Sequence, residues 1–151
     1  MIFIQKPDNF NPQFEVVSCF CEFKGNSPEQ GQTKFLLLHR QDHKAQGDTW
    51  GLPAGKINPD ENIYDAMLRE LKEETGIILA KNELNYSQEI YVRYPKYDFT
   101  YHIFTTEFQT QPEIQTNPEE HKDFRWATVQ EALKMPLVLD LDNCIKLFFK
   151  L

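Results

Sequence analysis

Between Asn62 and Gly76 the chain carries a stretch that reads as an amphipathic helix but places three glutamates where a helix tolerates them least. Asn62 suits an N-cap, Asp65 follows three residues on, and Gly76 stands where a left-handed terminator is wanted. At about 100° per residue from Glu70, the side chains of Glu73, Glu70 and Glu74 fall near 300°, 0° and 40° around the axis. They share one face. Tyr64, Met67, Leu71 and Leu68 cover about 60° to 160°, a stripe that faces a core, so the carboxylates border the buried side. Asp65, Arg69, Lys72 and Asn62 fill the remaining polar arc.

A run of glutamates on a helix is ordinarily a solvated face. Here the energetics oppose that reading. Like charges at i,i+3 and i,i+4 cost roughly 0.2–0.5 kcal/mol per pair, and the last turn before Gly76 meets the negative end of the helix dipole. Arg69 and Lys72 offset part of the repulsion. A divalent cation removes it, since hard oxygen ligands on one face are what Mg²⁺ takes.

The residues around the helix predict strands. Glu15 to Phe23 and Lys34 to Arg40 are rich in Val, Phe and Leu and read as a hairpin about the turn-like Gly25 to Gln32. A polar loop, Gln41 to Thr49, leads to Trp50-Gly51-Leu52-Pro53-Ala54-Gly55-Lys56, where Gly and Pro forbid a regular helix. Glu89 to Tyr94 and Tyr97 to Phe108 form a second antiparallel pair about Pro95-Lys96, and Asp123 to Ala127 a short strand. Helices near Thr128 to Lys134 and Leu141 to Leu151 close the chain. Strands mixed with helices without strict alternation point to an α/β/α or α+β domain on a mixed sheet.

At 151 residues the chain has room for one domain, 1–151, with a real core. A net charge of −7 argues against binding extended nucleic acid or an anionic membrane, and leaves a small polyphosphate partner that needs local positive charge. The N-terminus lacks a basic segment before an apolar run, and no stretch approaches the roughly 18 apolar residues of a span, so a soluble cytoplasmic protein is expected. Three cysteines cannot all pair; Cys19 and Cys21, two apart in a strand, point to one face as buried thiols. His39, His43, His102 and His121 show no ligand spacing, which assigns none of them to a metal.

Gly55, five residues, Glu61, seven residues, then Arg69-Glu70-Leu71-Lys72-Glu73-Glu74-Thr75-Gly76-Ile77 resembles the Nudix box, G-x5-E-x7-R-E-U-x-E-E-x-G-U with U aliphatic, at every specified position. Seven fixed positions at about one in twenty each give a chance match on the order of one in a billion per start site. The resemblance extends to most of the chain, with a hairpin before the box, a glycine-rich loop entering its helix, and Trp126 on a strand after it. It implies a Nudix-type α/β/α sandwich around a mixed sheet.

The resemblance also implies roles. Glu70, Glu73 and Glu74 would hold Mg²⁺, or Mn²⁺, against a diphosphate, and Glu61 would orient the loop by bridging to Arg69. Position matching to nucleoside-triphosphate members places Glu120, six residues before Trp126, as a further metal ligand or base, with Glu119 beside it. Lys56 and Arg40 resemble basic positions that meet substrate phosphates, and Gly51, Pro53 and Gly55 shape the loop. Tyr91, Tyr94, Tyr97 and Phe99 can stack on a base or pack in the core. Tyr94 resembles a marker of dinucleoside-polyphosphate members, and LPAGKI one of sugar-nucleotide members. The implied activity is hydrolysis of a pyrophosphate bond, first in a nucleoside triphosphate, with dinucleoside polyphosphate and sugar nucleotide as alternatives. A non-catalytic nucleotide-sensing domain is disfavoured by the intact box. The implied partner is a small nucleotide, and the protein itself a monomer or homodimer.

Overall fold

The structure is a computed structural model describing residues 1–25 and 32–151, so the turn expected at Gly25 to Gln32 lies largely outside the described residues. Its elements are β1 (Ile2–Phe3), β2 (Pro12–Phe23), β3 (Lys34–Arg40), β4 (Trp50–Gly51), β5 (Ala54–Lys56), α1 (Ile63–Thr75), β6 (Asn85–Arg93), β7 (Asp98–Phe108), β8 (His121–Ala127), α2 (Val129–Ala132) and α3 (Leu141–Phe148). The sheet runs β1-β6-β7-β2-β3-β4, with β5 added to β2 and β8 to β3.

β2 is the hub. It lies parallel to β7 from Glu15 opposite Thr100 to Phe23 opposite Phe108, and antiparallel to β5 at Val16 to Ser18. The hairpin with β3 exists, but its register is confined to Glu22 opposite Phe35 and Phe23 opposite Lys34. The strands then splay because β5 takes over that edge of β2, where Cys19 N–H also donates to Pro53 O at 3.1 Å. β3 turns to β4 and β8 instead.

Side-chain alternation on these strands creates two cores. Val17, Cys19 and Cys21 of β2 and Leu36 and Leu38 of β3 pack with Ala66, Met67 and Leu71 of α1. Phe20, Phe35 and Leu37 face the other way and pack with Ala132, Leu141, Cys144 and Ile145 of α2 and α3. The result is a three-layer α/β/α sandwich on a mixed sheet. All three cysteines are free and buried.

Helix α1 begins and ends where its sequence indicates. Asn62 Oδ1 accepts from the Asp65 N–H at 2.9 Å, and Gly76 has φ of 76° while its N–H bonds to Lys72 O. Full burial of Leu71 is worth about 2–3 kcal/mol, so the apolar stripe holds the helix against the cost of its glutamates. Elsewhere the boundaries move. β6 starts at Asn85, because Asn85, Tyr86 and Gln88 pair with β7 across a bulge although they lack an alternating apolar pattern. β8 starts at His121, whereas α2 and α3 are shorter than the pattern suggests. Among the described residues, no helix is long and apolar enough to cross a membrane.

Candidate active site

The helical wheel explains which carboxylate goes inward. The buried residues of α1 are Ala66, Met67, Leu71, Glu74 and Thr75, an arc from about 320° to 140° measured from Glu70. Glu74 lies inside this arc and is 3% exposed; Glu70, at 0°, is also inside it and partly buried; Glu73, near 300°, is outside it with an exposed side chain. Glu74 Oε1 accepts from the Ala54 N–H at 3.1 Å, tying the helix to β5. Glu70 presses on Gly55. A Cβ there would stand 2.1 Å from Glu70 Cδ, so only glycine admits this carboxylate to the loop backbone.

Arg69 organises the outer half of the cluster. Its Nε and Nη2 donate to Glu61 Oε2 and Oε1 at 2.8 and 2.9 Å, a two-pronged pair, and Nη2 also reaches Lys56 O at 3.0 Å. Its Nη1 donates to Glu70 Oε1 at 2.8 Å and Glu73 Oε2 at 3.3 Å. Hydrogen bonding from Arg69 holds the Glu61 carboxyl below its usual range, and Glu61 in turn raises the Arg69 pKa.

Among the described residues, no lysine or arginine pairs with Glu74 or Glu120 in the inner half. Burial, then proximity to Glu70, pushes the Glu74 pKa well above 4.5, with Glu120 adding to the rise. Burial raises Glu70 as well, although Arg69 opposes it. Ligand-capable atoms of Glu74, Glu120 and His121 lie within 4.8 Å of one another. His121 is 4% exposed, its Nε2 is 3.7 Å from Glu74 Oε2, and its Nδ1 has no hydrogen-bond partner among the described residues. Burial, then the charges of Arg40 and Lys44, lowers its pKa to about 4, so the imidazole is neutral at pH 7. Leaving such a group unpaired costs about 1–3 kcal/mol. Oxygen donors crowded beyond what their own counter-ions neutralise suit a divalent cation, and the residues present fit one.

Beside the carboxylates opens a cleft of ≈ 260 Å³. It is lined by Gly55, Lys56, Glu74 and His121 and by the aromatic Phe14, Tyr94, Tyr97, Phe99 and Tyr101. Phe14 stacks on Phe99 at 5.4 Å, and the Lys56 ammonium sits 4.1 Å over the Phe14 ring. Arg40 lines the cleft and donates from Nε to Ala45 O at 2.8 Å. Tyr94 lines it too, its hydroxyl donating to Leu139 O at 2.9 Å.

The structure thus brings together Glu70, Glu74, Glu120, Gly55, Lys56, Arg40 and Tyr94, with Glu61 and Arg69 behind them. It leaves Glu73 on the rim and Glu119 exposed. Tyr91 stands apart from the cleft against Phe10 at 5.3 Å; one-residue alternation along β6 from Val92, which does line it, separates the two. Phe14, Tyr101 and His121 were not singled out from the sequence for this place. Phe14 and Tyr101 lie on β2 and β7, whose parallel pairing has no local signature, and His121 meets Glu74 only through the fold.

A family model for the NUDIX domain matches residues 27–148. The CTP pyrophosphohydrolase of Escherichia coli (strain K12) is 30% identical over 125 residues, which cover 82% of this chain and 82% of that protein. The NUDIX domain of Shewanella oneidensis NrtR complexed with ADP ribose matches with a TM-score of 0.76 at 23% identity, over 97% of this chain and 92% of that one. A C. elegans Ap4A hydrolase binary complex matches with a TM-score of 0.71 at 19% identity, over 91% and 96% of the two chains. At these identities the two structures speak for the fold.

Proposed function

The chain belongs to the Nudix family and is a pyrophosphohydrolase, and from that premise we propose that it cleaves a nucleoside triphosphate with Mg²⁺ or Mn²⁺ as cofactor, residues 1–151 acting as one domain. The observation that carries this reading is the aromatic cleft that reaches Gly55 and Glu74. A base laid against the aromatic cluster of Phe14, Tyr97 and Phe99 would send its phosphates out past Lys56 and Arg40 to the glutamates. At ≈ 260 Å³ the cleft lies just below the ordinary range for ligand sites, which begins at about 300 Å³, and suits one nucleoside rather than two. The name of the Escherichia coli relative, which acts on CTP, supports the same class.

Glu70, Glu73, Glu74 and Glu120 are the residues that would hold metal. A cation held by these residues would supply charge neutralisation of the phosphate oxygens and a lowered pKa for an attacking water. Gly55 admits the Glu70 carboxylate, Ala54 fixes Glu74, and Glu61 with Arg69 locks the loop to the helix. Glu120, on a loop where the Gln41 N–H donates to the Glu120 carbonyl at 2.9 Å, would serve as a further metal ligand or as the base for the attacking water. Lys56 is held over Phe14 at the mouth, where it meets an arriving phosphate.

The test is a substrate panel with pure protein and Mg²⁺, products separated by chromatography. Release of pyrophosphate and nucleoside monophosphate from a triphosphate is the expected outcome. Preferential cleavage of a dinucleoside tetraphosphate or a sugar nucleotide would replace this substrate class.

A further inference from the structure

The geometry points to His121 as a nitrogen ligand that, with Glu74 and Glu120, makes the inner half of this site a centre for Mn²⁺ or Co²⁺ in preference to Mg²⁺. The inference rests on the metal-dependent reading above and adds to it a donor of a different chemical kind. Three observations carry it. The donor atoms of the three residues fall within 4.8 Å of one another, and His121 Nε2 is 3.7 Å from Glu74 Oε2. Neighbouring ligands at about 2.1 Å on an octahedral centre stand about 3.0 Å apart, so an inward movement of under about 1 Å completes the geometry. His121 is 96% buried and, among the described residues, its Nδ1 has no hydrogen-bond partner, so the protein does not hold the ring through that nitrogen, whereas buried polar atoms are normally satisfied.

The backbone prepares this meeting. Asn117 O accepts from the N–H groups of both Glu120 and His121, at 3.0 and 2.9 Å, which turns the two side chains out of one loop at the start of β8. Gln41 fixes that loop from β3, through its side-chain amide to Pro118 O at 2.7 Å and its N–H to Glu120 O. Ala54 fixes Glu74 from the opposite side. The three donors thus come from elements that hold still, as a selective metal centre requires. Arg69 reaches Glu70 and Glu73 and leaves Glu74 to this inner group. An imidazole nitrogen suits first-row transition ions, whereas Mg²⁺ prefers oxygen alone.

The experiment uses full-length, nucleotide-free protein stripped of metal. Mn²⁺ is added, its electron spin echo modulation is recorded, and affinities for Mn²⁺, Co²⁺ and Mg²⁺ are measured by calorimetry. Wild type is expected to show modulation from a directly bound ¹⁴N and to bind Mn²⁺ at least about 10-fold more tightly than Mg²⁺. His121→Phe, which keeps the ring's packing, is expected to lose the nitrogen signal and most of that preference. His121→Asn repeats the measurement should the phenyl variant melt early. Absence of ¹⁴N coupling in wild type, or an unchanged Mn²⁺ to Mg²⁺ ratio in a folded variant, overturns the assignment. Because no nucleotide is present, a failed substrate panel and a failed nitrogen signal are separate results.

Discussion

Glu74→Gln separates the electrostatic cost of the site from its chemistry. Burial, Glu70 and Glu120 raise the Glu74 pKa well above 4.5, whereas in the unfolded chain it titrates near its ordinary value. Between those two values the folded state binds the extra proton, so stability falls as pH rises through the window, by at most about 1.4 kcal/mol per pH unit. His121 acts in the opposite sense. Its folded pKa of about 4 lies below the ordinary 6.5, so the unfolded chain binds the extra proton there and stability rises with pH between them. In metal-free wild type the two slopes oppose each other where their windows overlap. The glutamine removes only the falling one. Its melting temperature should therefore gain on wild type by about 2–4 °C per pH unit above pH ~4.5, levelling off at the folded pKa of Glu74. Scanning calorimetry in excess chelator, from about pH 5 to 8, reads this directly. A gap between variant and wild type that is the same at both ends refutes the reasoning. A variant less stable than wild type near neutrality would show that the hydrogen bond from Ala54 outweighs the buried charge.

Gly55→Ala puts a methyl 2.1 Å from Glu70 Cδ and should lower kcat by about 10²-fold with a melting shift of only a few degrees, because the carboxylate is displaced and the core is not; an unchanged kcat contradicts the placement of Glu70. Glu73→Gln should abolish most Mg²⁺-dependent turnover, a loss of several kcal/mol of transition-state stabilisation, while melting in chelator stays level or rises slightly as repulsion of a few tenths of a kcal/mol is relieved; wild-type rates, or a much lower melting point, would remove Glu73 from the metal site. Arg69→Lys loses the two-pronged contact with Glu61 and the bond to Lys56 O, and should cost about 2 kcal/mol in urea unfolding, against nearly zero if the pair is merely a surface one. Turnover should need added divalent cation and be highest on the alkaline side, since Glu70 and Glu74 must both be ionised and their pKa values are raised; full rates in chelator, or a maximum near pH ~5, would contradict this.

The helix and its carboxylates were legible in the sequence because everything that defines them is local. Asn62, Gly76 and the stripe through Met67 and Leu71 lie within one continuous segment, and so does the arc that puts Glu70 and Glu74 together. Glu61 reaching Arg69 was legible for the same reason. Rotation about the helix axis was harder to read. Three glutamates on one face suggest equal partners, but the wheel alone does not show how far the sheet wraps, and that depth is what buries Glu74 and exposes Glu73. His121 was unreadable by spacing, since its partner Glu74 lies 47 positions earlier and the two meet only when β8 adds to β3. The aromatic lining was half visible. Tyr94, Tyr97 and Phe99 cluster in sequence, whereas Phe14 joins them through the β2 side of the sheet, near the parallel partner β7.

The division of the glutamates has an energetic logic. Arg69 pairs with the outer set, Glu61, Glu70 and Glu73, and offsets part of their charge from a partly exposed position where ion pairs are cheap to form and modest in effect. Had a second arginine reached Glu74, the buried carboxylate would be satisfied, and a divalent cation would have to displace a desolvated ion pair to enter. Removing one partner of such a pair costs about 3–5 kcal/mol, enough to weaken metal binding by more than a hundredfold. With Ala54 N–H as its hydrogen-bond donor and two further acids close by, Glu74 is kept ready for a cation and raised in energy without one. A protein of this size has about 5–15 kcal/mol of net stability, so such a cost is a sizeable fraction of the whole. It is carried where the structure is best packed, with Leu71 and Met67 fully buried one turn away against Val17 and Leu36.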